Sequence, residues 1–466
     1  MDKRIYIIAI LGTILAVFWQ ELNLYFLNGN FPESHGLITC ADEASFIRPP
    51  ENLLLKGVWK DNSNGITSYF TRPPGYGIYF LCLKLLLGKY VWWGMKFFQV
   101  SFYFFTIILV SKSLQLLNLK NKLIIISTSV FAFLPCFSGF MYFTISESIS
   151  PFFMLLSTYY WLKITKNQEE KPFKFILSIS FLILLRPHLL LFVLLFTIYF
   201  LFQKRKKIFF FSLLAFLPYI LWNIRSISLA KEWVGWNPIY SYTNNGIYRP
   251  NQKQMTNLFR IWEHQADVFH TALGTLANDT SSIAIQKSLQ SIPKKYRKDV
   301  FPIFKEYHDL KKYQYIHFPD TTKIKGPYKG ELEFDQKLDK KIQQLKSKNK
   351  LDYYIITPFK SLKKLLISSH LNLRIFQVDF RGNILMEILR WACVLMIMAI
   401  FSISSLNVLQ FKFNNVFFIS LGILGFLFYF SFFHRMNEER YLTPIIPIAF
   451  IILVRVIFKT KNDENI

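Results

Sequence analysis

Ala41-Asp42-Glu43 and, further along the same hydrophilic stretch, Thr71-Arg72-Pro73-Pro74-Gly75-Tyr76 interrupt a chain otherwise dominated by apolar runs. A carboxylate can take the proton of an acceptor hydroxyl or hold that hydroxyl in line. A guanidinium presents paired N–H donors to a phosphate and keeps its charge at any working pH. More residues of the same kinds recur along the chain: Glu147, Arg186-Pro187-His188, Arg225 and Arg440-Tyr441. Carboxylates together with several arginines suit attack by an acceptor hydroxyl while negative charge develops on a departing phosphate.

Each of these residues also has a blander reading. Asp42 can cap the helix that follows it, and Glu147 can complement a helix N-terminus. Arg72, Arg225 and Arg440 can be interfacial anchors, Arg186 and His188 a charged turn, and Tyr441 an ordinary interfacial tyrosine. Glu43 is expected to face away from Asp42, because adjacent positions on a helix do not share a face.

The elements that must position these residues are membrane helices. The chain has 466 residues, is 52% hydrophobic and contains 50 Phe. Its apolar residues come in long runs rather than amphipathic periods; the clean runs Leu123–Phe143, Trp391–Gln410 and Phe413–Phe433 are each about twenty residues, as a helix rising 1.5 Å per residue needs to cross ~30 Å of hydrocarbon. The fold expected is an α-helical polytopic membrane protein with about ten spans: 5–20, 92–111, 123–143, 146–162, 173–185, 188–202, 208–224, 387–409, 415–433 and 441–458. The start, Met1-Asp2-Lys3-Arg4 followed by Ile5–Phe18, lacks a small-residue cleavage site and reads as a retained first helix.

With the N-terminus inside, the short loops bearing Lys112, Lys120, Lys122, Lys163, Lys166 and Lys204-Arg205-Lys206-Lys207 all face the cytoplasm, as the positive-inside rule requires. Gly75–Leu87 is apolar but, at about thirteen residues, short of a full span. Were it to cross, the later basic loops would be inverted, so it is expected to be juxtamembrane or re-entrant. An N-terminal membrane module 1–225 then carries an outer loop 21–91. A large outer segment 226–386 of mixed structure follows, with a Lys-rich helical stretch at 326–350, and then the C-terminal spans 387–466. The net charge of +26 is accounted for by helix-end anchoring and not by nucleic acid. Cys40, Cys82, Cys136 and Cys393 have neither CxxC nor ligand spacing, so no zinc site or disulfide framework is expected.

With the residues so ordered, the chain resembles the GT-C superfamily of polyprenyl-phosphate-sugar-dependent glycosyltransferases, in the branch of the bacterial aminoarabinose transferases and protein O-mannosyltransferases. The similar pieces are Asp42-Glu43 in a long first outer loop, Arg72-Pro73-Pro74-Gly75-Tyr76 closing it, and Ile145-Ser146-Glu147 opening a helix. After them come Leu185-Arg186-Pro187, Trp222-Asn223-Ile224-Arg225, and Glu439-Arg440-Tyr441-Leu442 with Pro444 and Pro447. Segment 226–386 does not follow the family's pattern, and Glu147 stands where many relatives have Asp.

The resemblance implies an inverting hexosyl- or pentosyltransferase with a lipid-linked sugar donor and a lipid, glycan or protein acceptor at the outer face. Asp42, Glu43 and Glu147 would be its catalytic carboxylates. Arg72, Tyr76, Arg186, His188, Arg225, Arg440 and Tyr441 would contact donor phosphate or sugar. The membrane would be a bacterial inner membrane; the Phe-, Ile- and Lys-rich composition is that of an AT-rich genome.

No cofactor is indicated with certainty, and a divalent metal stays open. Glu263, Asp267 and His270 would share one helix face beside His264, as in a metal site, against the plainer reading of a solvated helix. Asn278-Asp279-Thr280 matches a glycosylation sequon, a tripeptide common by chance. Two other classes compete: a lipid-linked oligosaccharide transporter, which calls for mid-span charges and related halves, and a surface-polysaccharide polymerase or ligase, which would make chains rather than add one sugar.

Overall fold

The computed structural model describes residues 2–27, 36–40, 42–63, 66–68, 72–168, 172–230, 251–262, 266–279, 281, 283–317, 329–367, 382–435 and 438–458. Among the described residues six helical stretches are long and apolar enough to cross a bilayer: Lys3–Leu27, Gly75–Leu116, Lys206–Leu229, Ile384–Gln410, Asn415–His434 and Arg440–Ile457. The protein is an α-helical membrane protein. Shorter apolar helices, Asn121–Phe133, Phe173–Leu185 and Pro187–Phe202, lie among the six.

Helix α1 (Lys3–Leu27) shows why. It buries Ile5, Ala9, Gly12, Ala16, Gln20 and Asn23 along one stripe, while Ile7, Ile10, Leu11, Ile14 and Phe18 are exposed. Apolar residues turned outward and polar ones turned inward reverse the pattern of a water-soluble helix and suit a lipid surround. Gly12 allows a close approach, since a Cβ there would stand 2.5 Å from that of Ala132.

After α1 come α2 (Glu43–Lys56) and a hairpin of β1 (Asp61–Ser63) with β2 (Ile66–Ser68). The helices α3 (Gly75–Leu87), α4 (Val91–Leu116), α5 (Asn121–Phe133), α6 (Ser150–Thr165), α7 (Phe173–Leu185), α8 (Leu190–Phe202), α9 (Lys206–Leu213) and α10 (Leu217–Ala230) follow. Side-chain contacts sort their ends into two groups. At one end Asn121 donates to Asp2 at 3.3 Å and Arg205 to the Ile164 carbonyl at 2.5 Å. At the other, Gln20 donates to the Ser138 carbonyl at 2.8 Å and Lys96 pairs with Glu21 at 2.7 Å.

Two of the expected helices are cut short at this second end, each beside a proline. The run 123–143 is not one helix: α5 stops at Phe133 and Leu134 is extended before Pro135, as the residue before proline prefers. The helix α7, by contrast, keeps its expected bounds and ends at Leu185 before Arg186-Pro187. Glu147 lies on a 3-10 turn, Ser146–Ser148, and α6 begins only after it, with Pro151 in its first turn. The helix α3 packs beside the first turns of α4: the Tyr79 hydroxyl donates to the Met95 carbonyl at 3.2 Å, and Gln99 donates to the Tyr76 hydroxyl at 3.2 Å. Its start presses on the end of α7, for a Cβ on Gly75 would stand 2.5 Å from the Leu185 nitrogen.

The described residues of the segment expected to be of mixed structure form helices joined by turns: α11 (Gln252–Phe259), α12 (Ala266–Asn278), α13 (Ile283–Gln290), α14 (Lys294–His317), α15 (Lys329–Lys348) and α16 (Thr357–Ile367). It has its own core, in which Met255, Phe259, Phe269, Phe304, Leu338 and Ile342 are buried. In α15, Phe334, Leu338, Ile342 and Leu345 recur at helical spacing and are buried, while Lys337, Lys340 and Lys348 are exposed. The chain closes with α17 (Ile384–Leu406), α18 (Asn415–Phe428) and α19 (Ile446–Ile457). Arg435, 3% exposed, joins the helical unit to the bundle by donating to the carbonyls of Arg260 at 2.8 Å and Tyr353 at 2.7 Å.

Gly75→Ala should lower the thermal stability of the detergent-solubilised protein by about 1–3 kcal/mol through overpacking. Gly274→Ala, on α12 with open space around the glycine, should be neutral or stabilising. A Gly75→Ala protein as stable as the parent would mean that α3 is not seated on α7. In the helical unit, burial raises the Asp335 carboxyl to about 7. A carboxyl whose folded pKa lies above its unfolded value contributes fully below the unfolded value, and that contribution is lost as pH rises through the folded one. The melting temperature of Asp335→Asn relative to wild type should therefore climb between pH 5 and pH 8; a constant difference would remove Asp335 as the cause.

Candidate active site at one end of the bundle

The irregular segments at the second end bring the charged residues together. Residues 36–40 are pinned to the loop after α5: the Ile38 N–H donates to the Tyr142 carbonyl at 2.9 Å, and the Thr144 N–H donates to the Ile38 carbonyl at 3.1 Å. Asp42 thereby stands near Glu147. Although Asp42 immediately precedes α2, its side chain makes no capping bond; it reaches Arg72 and Arg440 instead. Arg186 ends α7, and Arg440 lies on the 3-10 turn Glu439–Ile445.

Arg440 Nη1 is 2.8 Å from Asp42 Oδ2 and its Nε is 3.7 Å from Glu147 Oε1. It also pairs with Glu438. Arg72 pairs with Asp42 and donates from Nε to Ser45 Oγ at 2.9 Å. Arg186 pairs with Glu147. Three carboxylates and three guanidiniums from five stretches of chain thus form one network whose formal charges cancel. Burial is graded across it: the Glu147 side chain is 3% exposed, Arg186 12% and Asp42 26%. Burial by itself would raise the Asp42 carboxyl, but the Arg72 and Arg440 guanidiniums outweigh it and hold that group below the usual carboxylate range.

One donor is left over. The Nε–H of Arg186 is buried and has no hydrogen-bond partner among the described residues. An unmet guanidinium donor inside a protein is costly and calls for a ligand oxygen or an ordered water. The Tyr441 ring lies 5.8 Å from the Arg186 guanidinium and 5.4 Å from that of Arg440, and it stacks on Phe430 at 5.1 Å. His188 packs among Tyr429, Phe430 and His434. Glu147, Ser148 and Thr443 line a cavity of about 20 Å³, room for a single water.

Other residues singled out from sequence lie around this network rather than in it. Glu43 turns away from Asp42 and accepts from the Thr144 hydroxyl. Tyr76 is fully buried behind α2, its ring 5.4 Å from that of Phe46, and it receives Gln99. Arg225 sits elsewhere, donating to the Trp59 carbonyl at 2.8 Å and stacking on Trp222 at 4.4 Å. Glu263 and His264 lie outside the described residues, as do Thr280 and the side chains of Asp267 and Glu439. Among the described residues no group of three His, Cys, Asp or Glu could hold a metal. Sequence reasoning missed Glu438, which the neighbouring Arg440 could have signalled, and Ser45, Thr144 and Gln99, for which no local signal exists. Comparisons with protein-family models, with curated proteins and with solved structures found no match.

Because Glu147 is nearly inaccessible and is the carboxylate paired with Arg186, Glu147→Gln should destabilise the protein by about 3–5 kcal/mol, the cost of leaving one half of a buried ion pair. Asp42→Asn, at a more accessible position, should cost less. Thermal unfolding in detergent tests both, and a Glu147→Gln protein that melts with the wild type would detach Glu147 from the balance of the network.

Proposed function

We propose that the protein is an integral-membrane glycosyltransferase that moves a sugar from a polyprenyl-phosphate donor to an acceptor at the extracytoplasmic face. The observation that carries the proposal is the gathering of Arg72, Arg186 and Arg440 on the carboxylates of Asp42 and Glu147 at one end of an apolar bundle. Ionisable groups at a membrane boundary are expensive and mark a substrate path by default. The unmet Nε–H of Arg186 and the Tyr441 ring beside two guanidiniums favour an anionic ligand with a sugar face over a purely structural ion network. The reading includes ten crossings in a GT-C-like arrangement, and the sorting of helix ends supports their alternation in direction. Lys112, Lys120, Lys122, Lys163, Lys166 and Arg205 lie at or near the end opposite the arginine network, and the positive-inside rule puts that end in the cytoplasm. The membrane is then a bacterial inner membrane with the site on its outer side.

In this reaction the acceptor oxygen forms a bond to the anomeric carbon as the bond from that carbon to the phosphate oxygen breaks. The electron pair leaves on the phosphate, and the acceptor proton passes to a carboxylate or to water. The phosphate enters as a singly charged diester and leaves as a monoester with a second ionisation near neutrality, so its negative charge grows along the reaction. Guanidiniums that strengthen their hold as that charge grows lower the barrier. Arg186 and Arg440 serve that role, with Arg72 alongside. A carboxylate held as low as Asp42 is a weak proton acceptor at neutral pH, so it acts chiefly by orienting the acceptor hydroxyl and the arginines. Glu147 keeps Arg186 in place.

The test is turnover of a panel of labelled polyprenyl-phosphate sugars by reconstituted protein, with a membrane and cell-wall extract as acceptor source. Transfer with release of polyprenyl phosphate is expected. Arg186→Gln or Arg440→Gln should lower kcat about 10²–10³-fold, and Asp42→Asn about 10²-fold or more. Folded wild-type protein that turns over no donor would end the transferase reading; transfer that survives Asp42→Asn unchanged would remove Asp42 from the mechanism.

A further inference from the structure

At the end of the bundle away from the arginine network, the ends of α4, α6, α8 and α17 and the start of α18 surround a cavity of about 440 Å³, within the roughly 300–1,000 Å³ range of small-ligand sites. Lys166, Lys412 and Arg455 line it with the side-chain amides of Asn118, Gln203 and Asn414, and among the described residues none that lines it is acidic. The amides belong to a built frame. Asn415 donates to Thr165 Oγ1 at 2.9 Å, Asn414 accepts from the Phe417 N–H at 3.0 Å, and Gln203 donates to the Tyr199 hydroxyl at 3.2 Å. The other amide atom of Gln203, Oε1, is buried and has no partner among the described residues, so it is suited to receive a hydroxyl. The apolar residues Leu117, Phe413 and Val416 complete the lining, and Phe413 is 64% exposed, facing what a bilayer would supply.

From this we infer that the cavity is a second binding site, for a phosphate ester that carries hydroxyl groups. The three basic side chains recognise the phosphate, and the orphaned Gln203 oxygen takes a hydroxyl of the same molecule. Basic pockets between membrane helices at this depth are where anionic headgroups bind. A phospholipid with a polyol headgroup and a soluble polyol phosphate share this chemistry. The inference does not depend on the transferase reading, because the two sites lie at opposite ends of the bundle.

The test uses the full-length protein in a mild detergent, with binding followed by thermal shift and by native mass spectrometry. Phosphatidylglycerol, phosphatidylcholine and glycerol 3-phosphate are the probes, offered to wild type, Lys412→Gln and Lys412→Gln/Arg455→Gln. Phosphatidylglycerol should bind wild type in preference to phosphatidylcholine, with affinity about fivefold weaker for each cation removed. If glycerol 3-phosphate stabilises wild type as well as the lipid does, the same site is assigned a soluble ligand. Lys412 is exposed, so its single substitution decides the matter should the double variant fold poorly. Equal phosphatidylglycerol binding by wild type and Lys412→Gln, or no response to either phosphate ester, would overturn the inference.

Discussion

Mutual neutralisation of Asp42, Glu147 and Glu438 by Arg72, Arg186 and Arg440 is the condition on which the site depends. Each of these ions alone would be expelled from a partly buried position beside an apolar bundle, because losing hydration costs several kcal/mol per charge. Together they form a set of zero formal charge, and segments separated by most of the chain are held in one place by it. Arg440 comes from the turn before the last helix and Asp42 from the turn after the first, so their contact at 2.8 Å closes the bundle. A network of this sort contributes more to where the chain goes than to how stable it is. It also holds the three guanidiniums in fixed positions.

Irregular backbone is the second constraint. Unpaired N–H and C=O groups are tolerated at membrane depth only where protein covers them or a cavity solvates them. The interruptions at Pro135, at Pro187 and in the turn Glu439–Ile445 all fall at the end that carries the charges. There the loops satisfy one another: residues 36–40 bridge to 142–144, and Gln99 donates to Tyr76, Phe143 and Ser148 together. The opposite end is made of short turns with residues in the left-handed region at Asn118, Asn167, Lys204 and Phe411, which end helices quickly and expose basic side chains. One bundle thus has an end of loops that converge inward and an end of tight turns, and the difference in chemistry between them follows from that. The helical unit formed by the described residues of 251–367 is tied to the loop-rich end through Arg435, whose guanidinium lies 3.9 Å from the ring centre of Tyr353.

Much of the architecture was legible in the amino-acid order. Hydrophobic runs long enough to cross a bilayer, basic residues at their ends and prolines at their limits are local properties, and local physics decides them. The separation of Asp42 from Glu43 was legible for the same reason: neighbouring side chains on a helix point apart, and here one meets Arg440 and the other Thr144. The list of arginines and carboxylates was likewise complete enough to hold most of the network, since charged residues in a membrane chain are scarce and stand out. Only the tertiary structure decided which of them meet. It sent Arg225 to Trp59 and Trp222, brought in Glu438, broke the run 123–143 at Leu134 and built the described part of segment 226–386 from helices. Ion pairing depends on distances between segments hundreds of residues apart, set by the packing of whole helices, and no local pattern of residues carries that information.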